Sequence, residues 1–154
     1  MKDELVFRLA VREDVPAIVH LLADDDLGSQ RERDEDHLPS SYYVAFEDID
    51  KDSNHQLVVA ESKERVVGTL HLMFLPSISF QGRLRAQIES VRVDKGSRNR
   101  GIGREMMKWA IERARERGAH VVQLTTHLTR KDAHRFYERL GFKGSHLGMK
   151  LDLK

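Results

Sequence analysis

A short basic segment in the middle of the chain has the composition of a phosphate site. The run Arg98-Asn99-Arg100-Gly101-Ile102-Gly103 follows a strand-like segment and precedes a long amphipathic pattern. A strand, a glycine-bearing loop and a helix N-terminus together offer backbone N–H groups and a favourable dipole to an anion. The arginines add forked donors that suit phosphate oxygens. The spacing therefore predicts that this loop binds phosphate.

Two familiar phosphate-binding patterns do not fit this loop. Nucleoside triphosphatases need a lysine and a hydroxyl after the second glycine, where this chain has Ile102-Gly103. The dinucleotide pattern needs three glycines at the first strand–helix turn, whereas only Gly101 and Gly103 occur here, late in the chain. The residues therefore argue against triphosphate hydrolysis and dinucleotide redox chemistry. A third pattern, Arg/Gln-x-x-Gly-x-Gly/Ala, is matched in full by residues 98–103.

A second motif further along the chain gives the loop a family context. It reads Ala133-His134-Arg135-Phe136-Tyr137-Glu138-Arg139-Leu140-Gly141-Phe142. The loop, this motif and the order of elements together resemble the GCN5-related N-acetyltransferase (GNAT) superfamily. The resemblance implies an acetyl-CoA-dependent N-acetyltransferase that acetylates a primary amine of a small molecule or peptide. Because the chain has no cysteine, an acetyl-cysteine intermediate is excluded, and direct attack in a ternary complex is expected.

The resemblance also assigns the cofactor contacts. In this family the loop amides bind the coenzyme A pyrophosphate, and the preceding strand offers backbone groups to the pantetheine arm. Carried onto this chain, the contacts are Val91, Arg92, Val93, Arg98, Asn99, Arg100, Gly101, Ile102, Gly103, Arg104 and Phe136. Val91 is then the expected N–H donor to the thioester carbonyl, a role that preorganised donors fill in acyl transfer.

Two side chains are candidates for the proton transfers of acetylation. Tyr137 matches the family's tyrosine that protonates the coenzyme A sulfur, and a phenol with an ordinary pKa near 10 suits that role. Packing on the apolar face of its helix is the alternative explanation for Tyr137. Glu89 is the candidate base, because a glutamate of this strand often accepts the amine proton in the family. Strand alternation predicts that Glu89, Val91 and Val93 share one face.

Histidines offer weaker alternatives for the base. His127 follows a buried strand at its carboxyl end, where ligands approach open sheets, so it can act as base, water relay or substrate contact. A structural role at the strand end is the competing explanation. His71 lies within a strand and is a lesser candidate. The spacing of the 8 histidines matches no ligand pattern, so no catalytic metal is expected.

Periodicity predicts one α/β domain with a mixed sheet, in the order β-α-α-β-β-β-α-β-α-β. The expected strands span residues 5–9, 56–62, 66–75, 84–93, 119–126 and 145–153. Helices are expected from Asp14, from Pro39 and over 101–117, with a last helix ending at Leu140. The resemblance implies a GNAT-type single domain over residues 1–154 whose parallel strands splay at the cofactor site. It places the acceptor-side helices at about 14–50 and the acetyl-CoA core at about 84–142.

Composition limits the cellular environment and the binding partners that we expect for this protein. Apolar residues make up 40% and charged residues 33% of the chain, and no apolar run reaches transmembrane length. A cytoplasmic protein with no membrane partner is expected. Few aromatic residues accompany the basic segment, so nucleic-acid binding is not expected. The oligomeric state stays open; a homodimer through the last strands is one expectation that the resemblance brings.

Charge is unevenly divided along the chain. Residues 1–55 hold 6 Lys and Arg against 15 Asp and Glu, a net of −9, and residues 56–154 carry +10. One interpretation is two ligands of opposite charge, an anion on the C-terminal part and a cationic amine near acidic residues 24–36. Solvated surface charge explains the division equally well. A catalytically silent acyl-CoA sensor or regulatory domain is the alternative to an enzyme, although the presence of both Glu89 and Tyr137 argues against it.

Overall fold

A computed structural model describes residues 4–154. Its strands are β1 (Leu5–Leu9), β2 (His55–Ser62), β3 (Arg65–Leu75), β4 (Arg85–Val93) and β5 (Val121–Leu124). Its helices are α1 (Val15–Ala23), α2 (Gly28–Arg31), α3 (Ser40–Lys51), α4 (Ser79–Gly82), α5 (Ile102–Glu116) and α6 (Lys131–Arg139). Single 3-10 turns at Arg12–Asp14 and Lys95–Ser97 lie before α1 and α5.

The five strands form one mixed sheet in the order β1-β2-β3-β4-β5. Strands β1, β2, β3 and β4 pair antiparallel in that order. A short turn connects β2 to β3, whereas helices α1 to α3 lie between β1 and β2. Helix α5 then provides the crossover that brings β5 beside β4 in the parallel sense. The predicted α/β class with a mixed sheet is confirmed.

Helices cover both faces of this sheet. On one face, α1 and α3 pack around Val59 in a cluster that consists of Ala10, Val15, Ile18, Val19, Phe46 and Val59. On the other face, α5 buries Met106, Met107, Ala110 and Ala114. Gly68 of β3 makes the close approach of α5 possible, because a Cβ there would lie 2.6 Å from Met106 Sδ. We call the α1/α3 side the front face, since Glu89 lies on it.

A buried carboxylate connects β1 to the start of α1. Asp14 is 7% exposed and accepts hydrogen bonds from Arg8 Nη1 at 2.6 Å and from the Val11 N–H at 2.8 Å. Arg8 also donates to Glu61 of β2 at 2.9 Å. Burial alone would raise the pKa of Asp14, but the hydrogen bonds from Arg8 and Val11 outweigh it and lower the pKa. The carboxylate therefore stays ionised and holds the edge strand to the first helix.

Most predicted elements form close to their expected bounds, and the exceptions have physical reasons. The predicted strand at 119–126 is shorter, Val121–Leu124. The charged segment 29–38, for which the sequence predicts a loop or a mobile helix, begins within the one-turn helix α2. The predicted strand at 145–153 is wrong, because the structure describes all of those residues and none is in a strand. A strand needs a hydrogen-bonded neighbour, and the alternating side chains Leu147, Met149, Leu151 and Leu153 are instead 77–90% exposed.

Two compact units divide the chain. The first ends at Gln123 and contains the sheet up to that residue with helices α1 to α5. The second is Leu124–Lys154 and contains α6. Glu89 and the basic loop belong to the first unit, whereas Tyr137 and His127 belong to the second.

Candidate active site

A β-bulge in β4 sets the direction of the candidate base. Glu89 pairs with His71 and Arg92 pairs with Thr69, so Ser90 and Val91 both lie opposite Leu70. Ser90 adopts a φ of 55°, the left-handed conformation that accommodates the extra residue. The strand therefore changes its alternation between Glu89 and Arg92.

The bulge corrects the predicted face of the strand. His71 and Thr69 lie two residues apart on one face of β3, so their partners Glu89 and Arg92 share a face as well. Val93 pairs with Gly68 and lies on the opposite face. The prediction that Glu89, Val91 and Val93 share one face is therefore wrong for Val93. Alternation fails because one residue is inserted into the ladder.

Two glutamine amides orient the Glu89 carboxylate. Gln87 Nε2 donates to Glu89 Oε1 at 2.7 Å, and Gln123 Nε2 of β5 donates to Gln87 Oε1 at 2.8 Å. The second bond fixes which way the Gln87 amide faces, so that its N–H groups point at the carboxylate. A carboxylate held in this way is available as a proton acceptor on the front face.

Histidines lie on the other side of Glu89. His71 stands directly across the ladder from it, and His71 Nε2 is 2.9 Å from His55 Nδ1 of β2. His55 Nε2 lies 3.8 Å from Asp52 Oδ2. Burial lowers the pKa of His71, the charge of His55 lowers it further, and Glu89 acts in the opposite direction. Polar side chains thus run from Gln123 to Asp52 across the front face of the sheet.

The basic loop has the backbone that its glycine predicts. Gly101 adopts a φ of 82° immediately before α5, and Asn99 adopts 61°. Nothing lies within 4 Å of a Cβ built on Gly101, so its backbone conformation alone favours glycine there. The first N–H groups of α5 have no acceptor within the helix itself. With Arg98, Arg100 and Arg104 nearby in sequence, the loop has donors and positive charge for an anion.

Carboxylates of the α1–α2 turn contact the cations of this region. Asp24 lies 3.4 Å from Lys95 Nζ and 3.9 Å from Arg98 Nη2. Asp25 lies 3.6 Å from Arg92 Nε and also accepts the N–H of Gly28. Carboxylates of the acidic N-terminal part therefore neutralise some of the cations of the basic C-terminal part, so the uneven charge of the sequence is partly balanced by these ion pairs.

Other acidic residues of the N-terminal part are paired too. Asp34 lies 2.7 Å from His20, Glu35 accepts from Arg33, and Glu32 accepts from the Tyr42 hydroxyl at 2.8 Å. These contacts pair carboxylates whose negative charge suggested a cationic ligand. The acidic segment consequently gives less support to a cationic acceptor than its sequence did.

Helix α6 of the second unit holds the candidate acid in an aromatic group. Tyr137 packs edge-on against Phe136, at 5.2 Å between ring centroids, and against Phe142 at 5.9 Å. His127 instead braces the loop before α6, since its Nδ1 lies 2.8 Å from Thr129 Oγ1 and its carbonyl 2.9 Å from His134 Nε2. These contacts favour the structural explanation for His127.

A cavity of about 330 Å³ opens beside the front-face row. It lies between the end of α3 and the start of β2, and His55 and Asp52 line it together with Phe46, Asp50 and Leu57. Its lining reaches Leu57, which pairs with His71, but includes no residue of the basic loop. The cavity is therefore an outlet at the end of the row and not the phosphate site.

Comparisons with known proteins show the family of the chain. Residues 16–142 match the model of the Acetyltransferase (GNAT) family. The chain belongs to the GNAT family. An aminoalkylphosphonate N-acetyltransferase of Salmonella typhimurium is 33% identical to it over 111 residues, which cover 68% of this chain and 70% of that enzyme. This GNAT chain is an acyltransferase.

Two further similarities extend the comparison. A glucosamine 6-phosphate N-acetyltransferase of Trypanosoma brucei brucei is 35% identical over 89 residues, 58% of each chain. A crystal structure described as a transcriptional regulator from Bacillus halodurans C-125 has 50% identity and a TM-score of 0.95. The similarity covers 97% of this GNAT chain and 100% of that one. The fold is thus shared by proteins described as enzymes and by one described as a regulator.

Sequence reasoning missed several residues around the GNAT site. Gln87 carried a signal, because it lies two residues before Glu89 and so on the same face of a regular strand. His55 and Gln123 carried none, since their roles depend on pairing between distant segments. Over residues 4–154 no cluster of three or more metal-binding side chains occurs. In the same part of the chain, no helix is long and apolar enough to cross a bilayer.

Proposed function

We propose that the protein is an acetyl-CoA-dependent N-acetyltransferase that acetylates a primary amine by direct attack in a ternary complex. The observation that carries this proposal is the position of Glu89, an oriented carboxylate next to the β4 bulge, on the strand that leads into the basic loop. The candidate base and the basic loop belong to the same structural unit, which supports a common site for the two.

The loop residues suit coenzyme A. Its pyrophosphate would be held by the N–H groups between Arg98 and Arg104 and by the guanidinium groups of the loop. Val91 to Val93 would hold the pantetheine arm, and Phe136 completes the proposed contacts. When bound, the cofactor supplies an acetyl thioester.

The proposed chemistry assigns the proton transfers to two residues. Glu89 would accept a proton from the ammonium form of the acceptor, so that the nitrogen lone pair can attack the thioester carbonyl carbon. The N–H of Val91 would donate to the carbonyl oxygen, and Tyr137 would donate its hydroxyl proton to the departing sulfur. As the carbon–nitrogen bond forms and the carbon–sulfur bond breaks, the second nitrogen proton would pass to the Tyr137 phenolate, which leaves a neutral amide, free thiol and a regenerated tyrosine.

The acceptor is proposed to be a small molecule with a primary amine. Two relatives are named for aminoalkylphosphonate and for glucosamine 6-phosphate, which are amines that also carry a phosphorus oxyanion. The internal pairing of Asp24, Glu32 and Asp34 likewise removes the main argument for a polycationic acceptor. A peptide amine is retained as an alternative acceptor.

An amine panel tests the proposal. Purified protein is given acetyl-CoA and an aminoalkylphosphonate, an amino sugar phosphate, a polyamine or a lysine peptide, and free thiol and acetylated product are measured. We expect thiol release that depends on one amine class, with product mass increased by one acetyl group. Binding of acetyl-CoA by calorimetry without thiol release from any amine would contradict the enzymatic proposal.

Replacing Tyr137 by Phe should lower turnover while preserving cofactor binding. The variant keeps the ring that packs against Phe136 and Phe142 and removes only the hydroxyl group. We expect kcat to fall about 10- to 100-fold, within the range of general acid catalysis. The dissociation constant of acetyl-CoA, measured by calorimetry, should be unchanged. Unchanged kcat would remove Tyr137 from the mechanism.

Replacing Asp24 by Asn should strengthen coenzyme A binding. Asp24 competes with the pyrophosphate for Lys95 and Arg98, so removing its charge frees both cations. We expect Kd to fall about threefold at low salt, since exposed ion pairs are worth up to about 1 kcal/mol, and the gain should shrink as salt is added.

The matched control for this experiment is Asp26→Asn. Asp26 is exposed and close in sequence, and its replacement makes the same change in net charge. We expect a smaller effect on Kd there. Equal effects of the two substitutions would mean that general charge, and not competition for the two cations, sets the affinity.

A non-catalytic acyl-CoA sensor is the second candidate function. Its support is the 50% identity to the structure described as a transcriptional regulator. The oriented Glu89 carboxylate argues for catalysis, because a sensor needs no base. The same amine panel separates the two, since a sensor binds acetyl-CoA without releasing thiol.

A further inference from the structure

The row His71–His55–Asp52 leads from the candidate base to the protein surface. His71 lies opposite Glu89 in the ladder, where facing side chains have Cβ atoms about 5 Å apart. His71 Nε2 is 2.9 Å from His55 Nδ1, and His55 Nε2 is 3.8 Å from Asp52 Oδ2. The side chain of Asp52 is 50% exposed. Titratable groups thus follow one another from mid-sheet to the surface, with a hydrogen bond between the two histidines.

The neighbouring groups favour one tautomer for each histidine of this series. The Asp52 carboxylate lies 3.8 Å from His55 Nε2, and its negative charge favours a proton on that nitrogen. His55 Nδ1 then carries a lone pair, and the hydrogen of the 2.9 Å bond belongs to His71 Nε2. A neutral His71 with its proton on Nε2 has a lone pair on Nδ1. That nitrogen is a proton acceptor.

The surroundings of His71 keep it neutral at physiological pH. The titratable groups that face it are His55 from β2 and Glu89 from β4. Burial and His55 together lower the pKa of His71, against the smaller opposing effect of Glu89. A neutral imidazole is what a relay requires at rest, because it must be able to receive a proton.

We propose that His71 and His55 relay the proton that Glu89 takes from the amine to solvent at Asp52. This inference rests on the proposed acetyltransferase function and names the route by which its base is regenerated. Glu89 passes its proton to His71 Nδ1, and His71 passes its Nε2 proton to His55 Nδ1. His55 releases its Nε2 proton beside Asp52. One proton enters the row and one leaves it, so charge balances, and rotation of the two rings after product release restores the tautomers.

The outlet of this relay is the cavity between α3 and β2. His55 and Asp52 both line it. A proton released there reaches solvent without crossing the volume next to Glu89 and the loop, which acceptor and cofactor fill during catalysis. The relay is therefore needed in the ternary complex, in which acceptor and cofactor block the direct path from Glu89 to solvent.

Tautomers provide a test that needs no substrate. Long-range proton–nitrogen NMR of the ¹⁵N-labelled protein reads which ring nitrogen of each histidine carries the proton. We expect His71 to be neutral at pH 7 with its proton on Nε2. A proton on Nδ1 of neutral His71 would overturn the proposal, whether or not an amine substrate has been found.

Kinetics of two variants tests the relay itself. His71→Gln and His55→Gln should each lower kcat about tenfold, less than loss of a direct base, because Glu89 is still present but is regenerated slowly. KM for both substrates should change little, and the solvent deuterium isotope effect on kcat should rise. His146→Gln is the matched control, because His146 is exposed in the second unit and should leave kcat and the isotope effect unchanged.

Chemical rescue distinguishes proton transfer from a structural role. His71→Ala removes the imidazole, and free imidazole in the buffer should restore part of the lost kcat. Circular dichroism and thermal unfolding check that each variant is folded; if His71→Ala is not, His55→Ala serves for the rescue. Wild-type kcat in both Gln variants, or a loss without change in isotope effect and without rescue, would overturn the relay. Absence of thiol release from the wild-type protein would instead refute the acetyltransferase function, with the tautomer result still interpretable.

Discussion

Replacing Glu89 by Gln should reduce kcat/KM for the amine about 100- to 1,000-fold near neutral pH, the range of general base catalysis. The amide keeps the size of the side chain and its place beside Gln87 but cannot accept a proton from an ammonium ion. The deficit should shrink as pH rises toward the pKa of the amine itself, because the acceptor then arrives already deprotonated. Thiol-release rates from pH 6 to 10 measure this convergence.

The control for the Glu89 variant is Glu112→Gln. Glu112 is exposed on α5 and pairs with Arg115 at 2.9 Å, so its loss removes the same charge far from the front face. We expect wild-type rates there and unchanged acetyl-CoA binding in both variants. Full activity of the Glu89→Gln variant at pH 7 would show that Glu89 is not the base. His71 would then be the next residue to test.

Replacing Gly28 by Ala should destabilise the fold by about 3 kcal/mol, the upper part of the range for steric overpacking. A Cβ at this position would lie 1.9 Å from the carbonyl oxygen of Leu22 and 2.9 Å from Asp25 Oδ1. The first of these atoms belongs to the backbone of α1 and cannot rotate away. In a chain of this size the unfolding midpoint should fall by about 6–12 °C, which thermal unfolding by circular dichroism measures.

Gly144→Ala is the matched control for the Gly28 variant. Nothing lies within 4 Å of a Cβ built on Gly144, so the same methyl group should be nearly neutral there. Because Gly28 donates its N–H to Asp25, which faces Arg92, we also expect the Gly28 variant to alter coenzyme A affinity. Equal unfolding midpoints for the two alanine variants would contradict this prediction, because they would show that the α1–α2 turn accommodates the methyl group without loss of stability.

The sequence predicted the elements that local patterns control. Helix α5 was expected over residues 101–117 and spans Ile102–Glu116, because its apolar period and the glycines at both ends are local signals. The family of the chain followed from the loop and the motif around Tyr137. The identity of Glu89 as a candidate base needed only its strand and the resemblance.

The features that escaped prediction depend on contacts between distant segments. A serine at position 90 carries no sign of a left-handed φ, so the bulge and the changed face of Val93 could not be read from the sequence. The series from His71 to Asp52 arises from register between β2 and β3. Residues 145–153 show the converse case, in which a strand-like alternation exists without pairing in the sheet.

The extra residue at Ser90 inverts the alternation of side chains in the rest of β4. Every side chain after it faces the side opposite to the one that regular alternation would give. Regular pairing with every residue kept would move Arg92 to the opposite face and Val93 to the face of Glu89, whereas a strand without Ser90 would keep both where they are. The extra residue, and not the types of its neighbours, therefore decides that Arg92 shares a face with the candidate base.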